Sequence, residues 1–178
     1  MTPLVTTLVL GGARSGKSLH AERLVLSSGL SPVYLATATA GDGEMAERIA
    51  HHRERRGPEW STLEEPLELG SALRREAREG RAVLVDCLTL WLSNLMMAER
   101  DLETGTRELC GALGSLPGPV ILVSNEIGMG LVPETPLGRR FRDAQGRLNQ
   151  AVAKAAPAVV FVAAGLPLSL KSPSEVSP

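Results

Sequence analysis

The first 25 residues constrain the fold most, because an apolar β-rich run, a glycine-rich loop and an amphipathic stretch follow one another there. Residues 4–10 predict a buried strand, and the residues from Ser18 onward predict a helix. Between them, residues 11–18 read Gly-Gly-Ala-Arg-Ser-Gly-Lys-Ser, the spacing of a phosphate-binding loop, or P-loop. Such a loop directs backbone N–H groups and a helix N-terminus at an anion, so the sequence predicts a bound nucleoside triphosphate.

The glycines, Lys17 and Ser18 of this loop each have an expected role. Glycine lets the backbone approach phosphate closely, Lys17 supplies an ammonium for the β- and γ-phosphates, and the Ser18 hydroxyl is a ligand for Mg²⁺. Lysine occurs at only three positions of the chain, so a lysine here indicates a need for an ammonium group. The alternative is a chance glycine-rich turn before a helix, which the flanking strand and helix disfavour. The predicted nucleotide-binding residues of the loop are Gly11, Gly12, Ala13, Arg14, Ser15, Gly16, Lys17 and Ser18.

Short apolar runs alternate with amphipathic stretches along the rest of the chain. Strands are predicted at 4–10, 32–37, 81–86, 119–124 and 158–164, and helices at 17–28, 43–56, 66–79, 88–100, 105–114 and 137–155. This alternation predicts an α/β, P-loop NTPase-like fold with a mainly parallel central sheet and helices on both faces. We expect a single domain over 1–166, followed by a flexible tail rich in proline and serine over 167–178.

Ligands of such sheets bind beyond the carboxyl ends of the strands. The P-loop, Thr37, Asp86 and the segment from Asn125 all fall at predicted strand ends. An acid that closes an apolar strand downstream of a P-loop is the Walker B arrangement, which predicts that Asp86 holds Mg²⁺ or its water. The alternative is a helix N-cap, since a predicted helix follows Asp86 directly.

Composition excludes several classes of partner. The net charge is −1 and the pI is about 6.3, so nothing favours a nucleic-acid partner. No apolar run is long enough to predict a membrane span, and no secretory leader is recognisable at the N-terminus. Cys87 and Cys110 lack metal-ligand spacing and are expected to be reduced, as in a cytoplasmic protein.

The predicted helix over 43–56 carries two adjacent histidines that point in different directions. His52 continues the apolar stripe of Met45 and Ile49, whereas His51 lies on the polar face. A solvated surface residue is the simpler interpretation of His51. The alternative is a nucleophile for phosphoryl or nucleotidyl transfer, because a neutral imidazole attacks phosphorus well near neutral pH.

Five segments together carry a family resemblance that covers almost the whole chain. They are residues 11–18, Tyr-Leu-Ala-Thr at 34–37, Met-Ala-Glu-Arg-Ile-Ala-His-His-Arg at 45–53, Asn-Glu-Ile-Gly-Met-Gly-Leu-Val-Pro-Glu at 125–134, and Phe-Arg-Asp-Ala-Gln-Gly-Arg-Leu-Asn-Gln at 141–150. In this order they resemble the bifunctional adenosylcobinamide kinase / adenosylcobinamide-phosphate guanylyltransferases of cobalamin biosynthesis. The segment 125–134 is the most specific of the five.

The resemblance implies two reactions. ATP or GTP phosphorylates adenosylcobinamide, and GTP then donates GMP to adenosylcobinamide phosphate through a covalent guanylyl-histidine, which falls on His51. It also implies Mg²⁺ as cofactor and a homo-oligomer, possibly a trimer. For Asp86, where members often carry Glu, it leaves open a contact with guanine or with the metal. Beyond the P-loop, the implied nucleotide contacts are Thr37, Ala38, Thr39, His52, Arg53, Glu54, Arg55, Glu64 and Asp86.

Three other functions are compatible with a P-loop. A monofunctional small-molecule kinase would form no covalent guanylyl intermediate. A regulatory GTPase needs an Asn-Lys-x-Asp guanine-binding motif, which the sequence lacks. A motor-type ATPase or nucleic-acid module is disfavoured because there is no basic stripe.

Overall fold

The structure, a computed structural model, describes residues 4–38 and 57–173. Seven strands form one sheet in the order β3-β2-β4-β5-β1-β6-β7. Every neighbouring pair is parallel except β6 and β7, which are antiparallel. The strands are β1 Thr7–Gly11, β2 Ser31–Ala36, β3 Ser61–Glu64, β4 Arg81–Asp86, β5 Val120–Asn125, β6 Ala158–Ala163 and β7 Leu166–Lys171.

Five helices connect these strands within the described residues. They are α1 Lys17–Ser27, α2 Leu69–Glu76, α3 Leu88–Met97, α4 Leu102–Leu113 and α5 Pro136–Ala155. Helix α4 begins three residues before its predicted start, because the Asp101 carboxylate accepts a hydrogen bond of 2.7 Å from the Thr104 N–H and caps it. The helix predicted over 43–56 lies outside the described residues.

The two faces of the sheet carry separate apolar cores. Helix α1 packs on one face, where Ala21 and Val25 contact inward side chains of the central strands such as Val9 and Ile121. Helices α2 to α5 cover the opposite face, where Leu122 and Trp91 belong to the larger core. The central strands are therefore buried on both sides, which explains their continuous apolar sequences and confirms the predicted α/β fold with helices on both faces.

Both edges of the sheet hold a strand that the sequence analysis missed. Strand β3 has four residues, of which only Leu63 is apolar, so its apolar pattern is too brief to predict. Strand β7 corrects the prediction of a flexible tail from residue 167, because residues 166–171 pair with β6.

A tight hairpin accounts for β7. Ala164 and Gly165 join β6 to β7, and both have positive φ, 52° and 79°. Two-residue turns of this handedness match the natural twist of antiparallel strands. Pro167 is tolerated because β7 is an edge strand. Residues 174–178 of the predicted tail lie outside the described residues.

No helix of the described residues is long and apolar enough to cross a membrane.

Candidate functional site

The P-loop lies where β1 ends and α1 begins, at the carboxyl edge of the parallel strands. Its backbone takes two left-handed conformations, at Arg14 with φ 55° and at Gly16 with φ 94°. A Cβ on Gly11 would lie 2.5 Å from Ser15 Oγ and 2.6 Å from the carbonyl oxygen of Val162. Glycine is therefore required at position 11 by packing between neighbouring strands.

The hairpin after β6 supports the loop from the other side. The N–H of Gly165 donates to the carbonyl of Ser15 at 2.8 Å. A Cβ on Gly16 would lie 3.1 Å from Gly165 Cα, so the two backbones touch. The sequence analysis placed Gly165 near the end of the predicted domain and did not anticipate this turn. The turn that leads into the missed strand β7 is thus a structural support of the P-loop.

Lys17 is almost buried at the base of the loop, with 9% of its surface exposed. Its ammonium donates to the carbonyl of Gly12 at 3.1 Å. Burial lowers the pKa of Lys17 from its ordinary value, while coulombic interactions with Cys87 and Asp86 act in the opposite direction with smaller effect. A buried ammonium next to a glycine loop is poised to exchange a carbonyl for phosphate oxygens.

Ser15 has the same exposed fraction as Lys17, and its Oγ has no hydrogen-bond partner among the described residues. Buried hydroxyls normally have a hydrogen-bond partner. The Ser15 hydroxyl lies in a phosphate-binding loop, so the absence of a protein partner is what we expect if it bonds to a ligand oxygen. Helix α1 begins at Lys17, so the free N–H groups of its first turn open towards the same place.

Asp86 is the last residue of β4 and is half-buried. Strand β5 lies between β4 and β1, so Asp86 is about 10 Å from β1 across two strand spacings. The Tyr34 hydroxyl donates to Asp86 Oδ2 at 2.8 Å, an interaction that the sequence analysis did not anticipate. The N-cap of α3 is Cys87, so the alternative in which Asp86 caps this helix is not supported.

The thiol of Cys87 lies directly after Asp86 and is buried. Burial, reinforced by the nearby charge of Asp86, raises the pKa of Cys87 to about 11. The group is therefore a neutral thiol near neutral pH and is not a candidate nucleophile.

Thr37 continues the line of strand ends beyond β2. Its side chain is fully buried, and its Oγ1 donates to the carbonyl of Cys87 at 2.8 Å. The Asn94 amide donates to the carbonyl of Thr37 at 2.7 Å. The Thr37 hydroxyl thus joins the ends of β2 and β4. Ala38 is described next to it, whereas Thr39 is outside the described residues.

The segment that follows β5 borders the P-loop directly. The N–H of Glu126 donates to the carbonyl of Gly11 at 3.0 Å, and Asn125 is in register with Gly11. A buried polar cluster holds this strand end against α5. Ser124 Oγ donates to Asn149 Oδ1 at 2.7 Å, and Gln145 Nε2 donates to each of these two oxygens. Asn149 Nδ2 in turn donates to the carbonyl of Asn125 at 3.1 Å. The resemblance segments 125–134 and 141–150 therefore meet in space.

Glu64 is the most distant of the described candidates. It is exposed at the end of β3, and β3 is four strands from β1, a separation of about 19 Å. Glu64 and the P-loop cannot contact the same phosphate group. His51, His52, Arg53, Glu54 and Arg55 lie outside the described residues.

A groove of about 650 Å³ between α4 and α5 is lined mostly by apolar side chains, including Leu102, Cys110 and Ala151. It lies in the helical layer, towards the C-terminal half of α5, and holds none of the candidate site residues. Among the described residues, no cluster of three or more His, Cys, Asp and Glu side chains is arranged to hold a metal by itself. The candidate nucleotide site comprises the P-loop and the strand ends.

Comparison with known proteins identifies the family of this chain. The family described as cobinamide kinase / cobinamide phosphate guanyltransferase matches residues 7–170. The chain belongs to this family. That finding confirms the resemblance drawn from the sequence segments.

Two relatives show how far the similarity extends. The bifunctional adenosylcobalamin biosynthesis protein CobP of Pseudomonas aeruginosa is 56% identical over 166 residues, which cover 92% of this chain and 96% of the relative. The bifunctional adenosylcobalamin biosynthesis protein CobU of Escherichia coli is 38% identical, with 92% and 98% covered.

Among solved structures, an ATPase domain is similar in fold, with a TM-score of 0.50 and 14% identity over 88% of this chain and 68% of that chain. A protein of Pyrococcus horikoshii has a TM-score of 0.56 and 9% identity, with 94% of this chain and 86% of that chain covered. Both matches bear on the fold alone, and the first agrees with a P-loop NTPase-like architecture.

Proposed function

We propose that this member of the cobinamide kinase / cobinamide phosphate guanyltransferase family catalyses both reactions. It transfers the γ-phosphoryl group of ATP or GTP to adenosylcobinamide, and then GMP from GTP to the resulting phosphate. The observation that carries the proposal is a P-loop with a buried lysine, flanked by Asp86 and by Asn125–Glu126, in a chain that matches this family over residues 7–170. The two relatives, whose names state bifunctionality, support both activities.

In the kinase step, the loop binds the triphosphate and Lys17 exchanges the Gly12 carbonyl for phosphate oxygens. The substrate hydroxyl forms a bond to the γ-phosphorus as the bond from that phosphorus to the β–γ bridging oxygen breaks. The hydroxyl proton leaves to solvent or a base. Negative charge on the transferred group is offset by the Lys17 ammonium and by the backbone N–H groups of the loop. Ser15 Oγ is available to donate to an oxygen of the same triphosphate.

Mg²⁺ fits the residues present. It prefers oxygen ligands, usually one or two protein groups together with substrate phosphates and waters, so a site without a cluster of acids among the described residues suits it. Ser18 has a hydroxyl at the first turn of α1, and Asp86 has Oδ1 remaining after Oδ2 accepts from Tyr34. Ser18 and Asp86 would hold the ion, which supplies charge neutralisation at the phosphates.

In the guanylyl transfer step, we assign the nucleophile to His51. An imidazole nitrogen bonds to the α-phosphorus of GTP as the bond to the α–β bridging oxygen breaks, and pyrophosphate leaves. An oxygen of the cobinamide phosphate then attacks the same phosphorus and releases the imidazole. Arg48, Arg53 or Arg55 would stabilise the developing charge, being within about one helical turn of His51 in the predicted helix.

The positions of the strand ends constrain how one nucleotide could contact both the P-loop and Glu64. If Glu64 and the P-loop contact the same nucleotide, its phosphates lie at β1 and its base or ribose lies towards β2 and β3, because the two sites are about 19 Å apart. Thr37 and Asp86 lie between them along the sheet edge. Thr37, Ala38, Thr39, Glu64 and His52–Arg55 are assigned as nucleotide contacts because the family resemblance implies them.

The decisive experiment is covalent capture of label from α-labelled GTP and Mg²⁺ after denaturation. A guanylyl-histidine should be labile to acid and stable to base. We expect His51→Ala to abolish the label and the matched variant His52→Ala to retain it. If His51→Ala still captures label, the assignment of His51 is wrong.

Product analysis with adenosylcobinamide tests the kinase step and compares ATP with GTP. Phosphorylation of cobinamide without any covalent GMP would identify a monofunctional kinase. Nucleotide hydrolysis that does not depend on cobinamide would contradict both reactions and favour an NTPase.

We further propose that the enzyme acts in the cytoplasm and as a homo-oligomer, possibly a trimer. The two cysteines are free, and one of them is buried, which agrees with a reducing compartment. Sedimentation of the purified chain tests the oligomeric state.

A further inference from the structure

The loop between β5 and α5 exposes apolar side chains beside the P-loop. Met129 is 82% exposed, Leu131 96%, Val132 64%, and Leu137, in the first turn of α5, 63%. We call these four residues the apolar loop surface. Single exposed apolar residues are common, but four within nine positions form a local cluster of the kind that marks a binding surface.

This loop is held in place by the protein. The Arg139 guanidinium donates to the carbonyls of Pro133 and Glu134 at 3.0 and 2.8 Å, and Arg142 donates to the carbonyl of Leu131 at 3.2 Å. Thr135 caps α5 by accepting from the Gly138 N–H at 3.1 Å. Side-chain hydrogen bonds thus fix the backbone of a loop whose own side chains point into solvent.

The surface is continuous with the nucleotide site. Glu126, whose N–H donates to the Gly11 carbonyl, is three residues before Met129, so their Cα atoms are at most about 11 Å apart. Leu131 is five residues from Glu126 and lies within about 18 Å of it. The acceptor of a γ-phosphoryl group must reach the mouth of the P-loop, where this surface begins.

The chemistry of the surface matches one kind of acceptor. Residues 127–133 are Ile-Gly-Met-Gly-Leu-Val-Pro and carry no charge. A corrinoid presents a wide macrocycle whose rim bears methyl groups between amide side chains, and flexible thioether and aliphatic side chains adapt well to such a shape. A small hydrophilic acceptor would gain nothing from four exposed apolar side chains.

We propose that the apolar loop surface is the platform that binds the corrin macrocycle of the acceptor, with its phosphorylatable arm directed at the P-loop. This inference rests on the proposed kinase activity. Leu131 and Met129, the most exposed of the four, contribute most of the apolar contact, and Arg139 and Arg142 act as positioning residues that hold the loop.

The test uses two matched pairs of variants in the full chain. Met129→Ser is compared with Met97→Ser, because Met97 is 81% exposed but lies at the end of α3 that points away from Asp86. Leu131→Ser is compared with Leu168→Ser on the outer strand β7, where Leu168 is 60% exposed. All four positions are on the surface, so folding should be preserved, which thermal unfolding verifies.

We expect Met129→Ser and Leu131→Ser each to raise the KM for cobinamide by roughly tenfold, since each removes the burial of one large apolar side chain. The KM for the nucleotide should stay within about twofold, because the P-loop is untouched. Met97→Ser and Leu168→Ser should leave both constants unchanged. An unchanged KM for cobinamide in both loop variants would overturn the proposal.

Sedimentation and equilibrium dialysis distinguish two further outcomes. If the loop variants lower the oligomeric state in sedimentation while the controls do not, the surface is an interface between copies of this chain, and the proposal is wrong. If the unmodified chain fails to phosphorylate cobinamide, the proposed function fails, and equilibrium dialysis of cobinamide decides this inference separately. The inference is supported if the unmodified chain binds cobinamide and Leu131→Ser binds it more weakly. It is contradicted if the two proteins bind cobinamide equally or if neither binds it.

Discussion

The P-loop and the polar cluster between β5 and α5 are neighbours, yet their buried polar groups differ in one respect. In the cluster, Ser124, Gln145 and Asn149 bond mainly to one another and to the Asn125 carbonyl. In the P-loop, Ser15 Oγ has no partner among the described residues, and Lys17 donates to a carbonyl of its own loop. Polar groups that position the backbone are satisfied by protein atoms, whereas groups that bind a ligand are left available for it.

The contrast is not complete, because Gln145 Oε1 also lacks a partner among the described residues. Its amide nitrogen nonetheless donates twice, at 2.9 Å to Ser124 and at 2.9 Å to Asn149. The cluster is therefore expected to contribute to stability, and the P-loop to ligand binding.

Replacing Lys17 by Met should show the largest effect on activity. We expect turnover in both reactions to fall by about 10²–10³-fold, because the ammonium offsets charge at the transferred phosphorus. The free energy of unfolding without nucleotide should be unchanged or higher at pH 7, since burial lowers the pKa of Lys17 and the native state disfavours its charged form. Steady-state kinetics and urea unfolding measure the two effects.

The pH dependence of unfolding checks the sign of this argument. A native pKa below the ordinary value of 10.5 means that the unfolded state binds more protons between the two pKa values. The Lys17 contribution to stability therefore rises with pH through that window, and Lys17→Met should lack this rise. A large loss of stability in Lys17→Met at pH 7 would contradict the description of the P-loop as a ligand-binding region.

Replacing Asn149 by Leu should show the largest effect on stability. It removes the acceptor that Ser124 Oγ and Gln145 Nε2 share and the side-chain donor to the Asn125 carbonyl, while the bond from Gln145 to Ser124 remains, which should lower the free energy of unfolding by about 3 kcal/mol. Urea denaturation measures this loss, and Gln150→Leu, at an exposed position of α5, is the control. A loss of nucleotide affinity with unchanged stability would show that the cluster acts on the ligand instead.

The pair Gly11→Ala and Gly12→Ala separates packing from ligand approach within the P-loop. A Cβ at Gly11 would meet Ser15 Oγ and the Val162 carbonyl, so we expect destabilisation by about 1–3 kcal/mol without nucleotide. A Cβ at Gly12 has nothing within 4 Å among the described residues, so its effect on thermal unfolding should be negligible. Equal melting temperatures of the two variants would contradict this assignment.

The smallest expected effect concerns the thiol beside Asp86. At pH 8, a pKa of about 11 leaves roughly one thiolate in a thousand at Cys87. In the variant Cys110→Ala, a thiol reagent should therefore modify the native protein far more slowly than the unfolded chain. Rapid modification of Cys87 in the native state would show that this part of the site is open, unlike the buried cluster at Asn149.

Different parts of the molecule were predictable from the sequence to different degrees. The five central strands were predicted within about three residues, because burial on both faces gives continuous apolar runs. The edge strands β3 and β7 were missed, since exposure on one side interrupts that pattern. The donor to Asp86, Tyr34, was also missed, because two strands 52 residues apart bring it there.

The sequence by itself determined the chemistry of the site. The spacing of Gly11, Gly16, Lys17 and Ser18 predicts a phosphate site because few backbones other than this loop need those residues together. The apolar runs determined the parallel sheet, and the segment 125–134 pointed to the family that the comparisons confirmed.

Only the tertiary structure decided which of these groups are available to a ligand. Sheet order brings Asp86 and Asn125 to the P-loop and leaves Glu64 about 19 Å away. The Ala164–Gly165 turn brings Gly165 against Gly16, and long-range packing leaves Ser15 without a partner among the described residues while satisfying most of the cluster around Asn149. Such contacts join residues far apart in the chain, so no local pattern of residues can encode them.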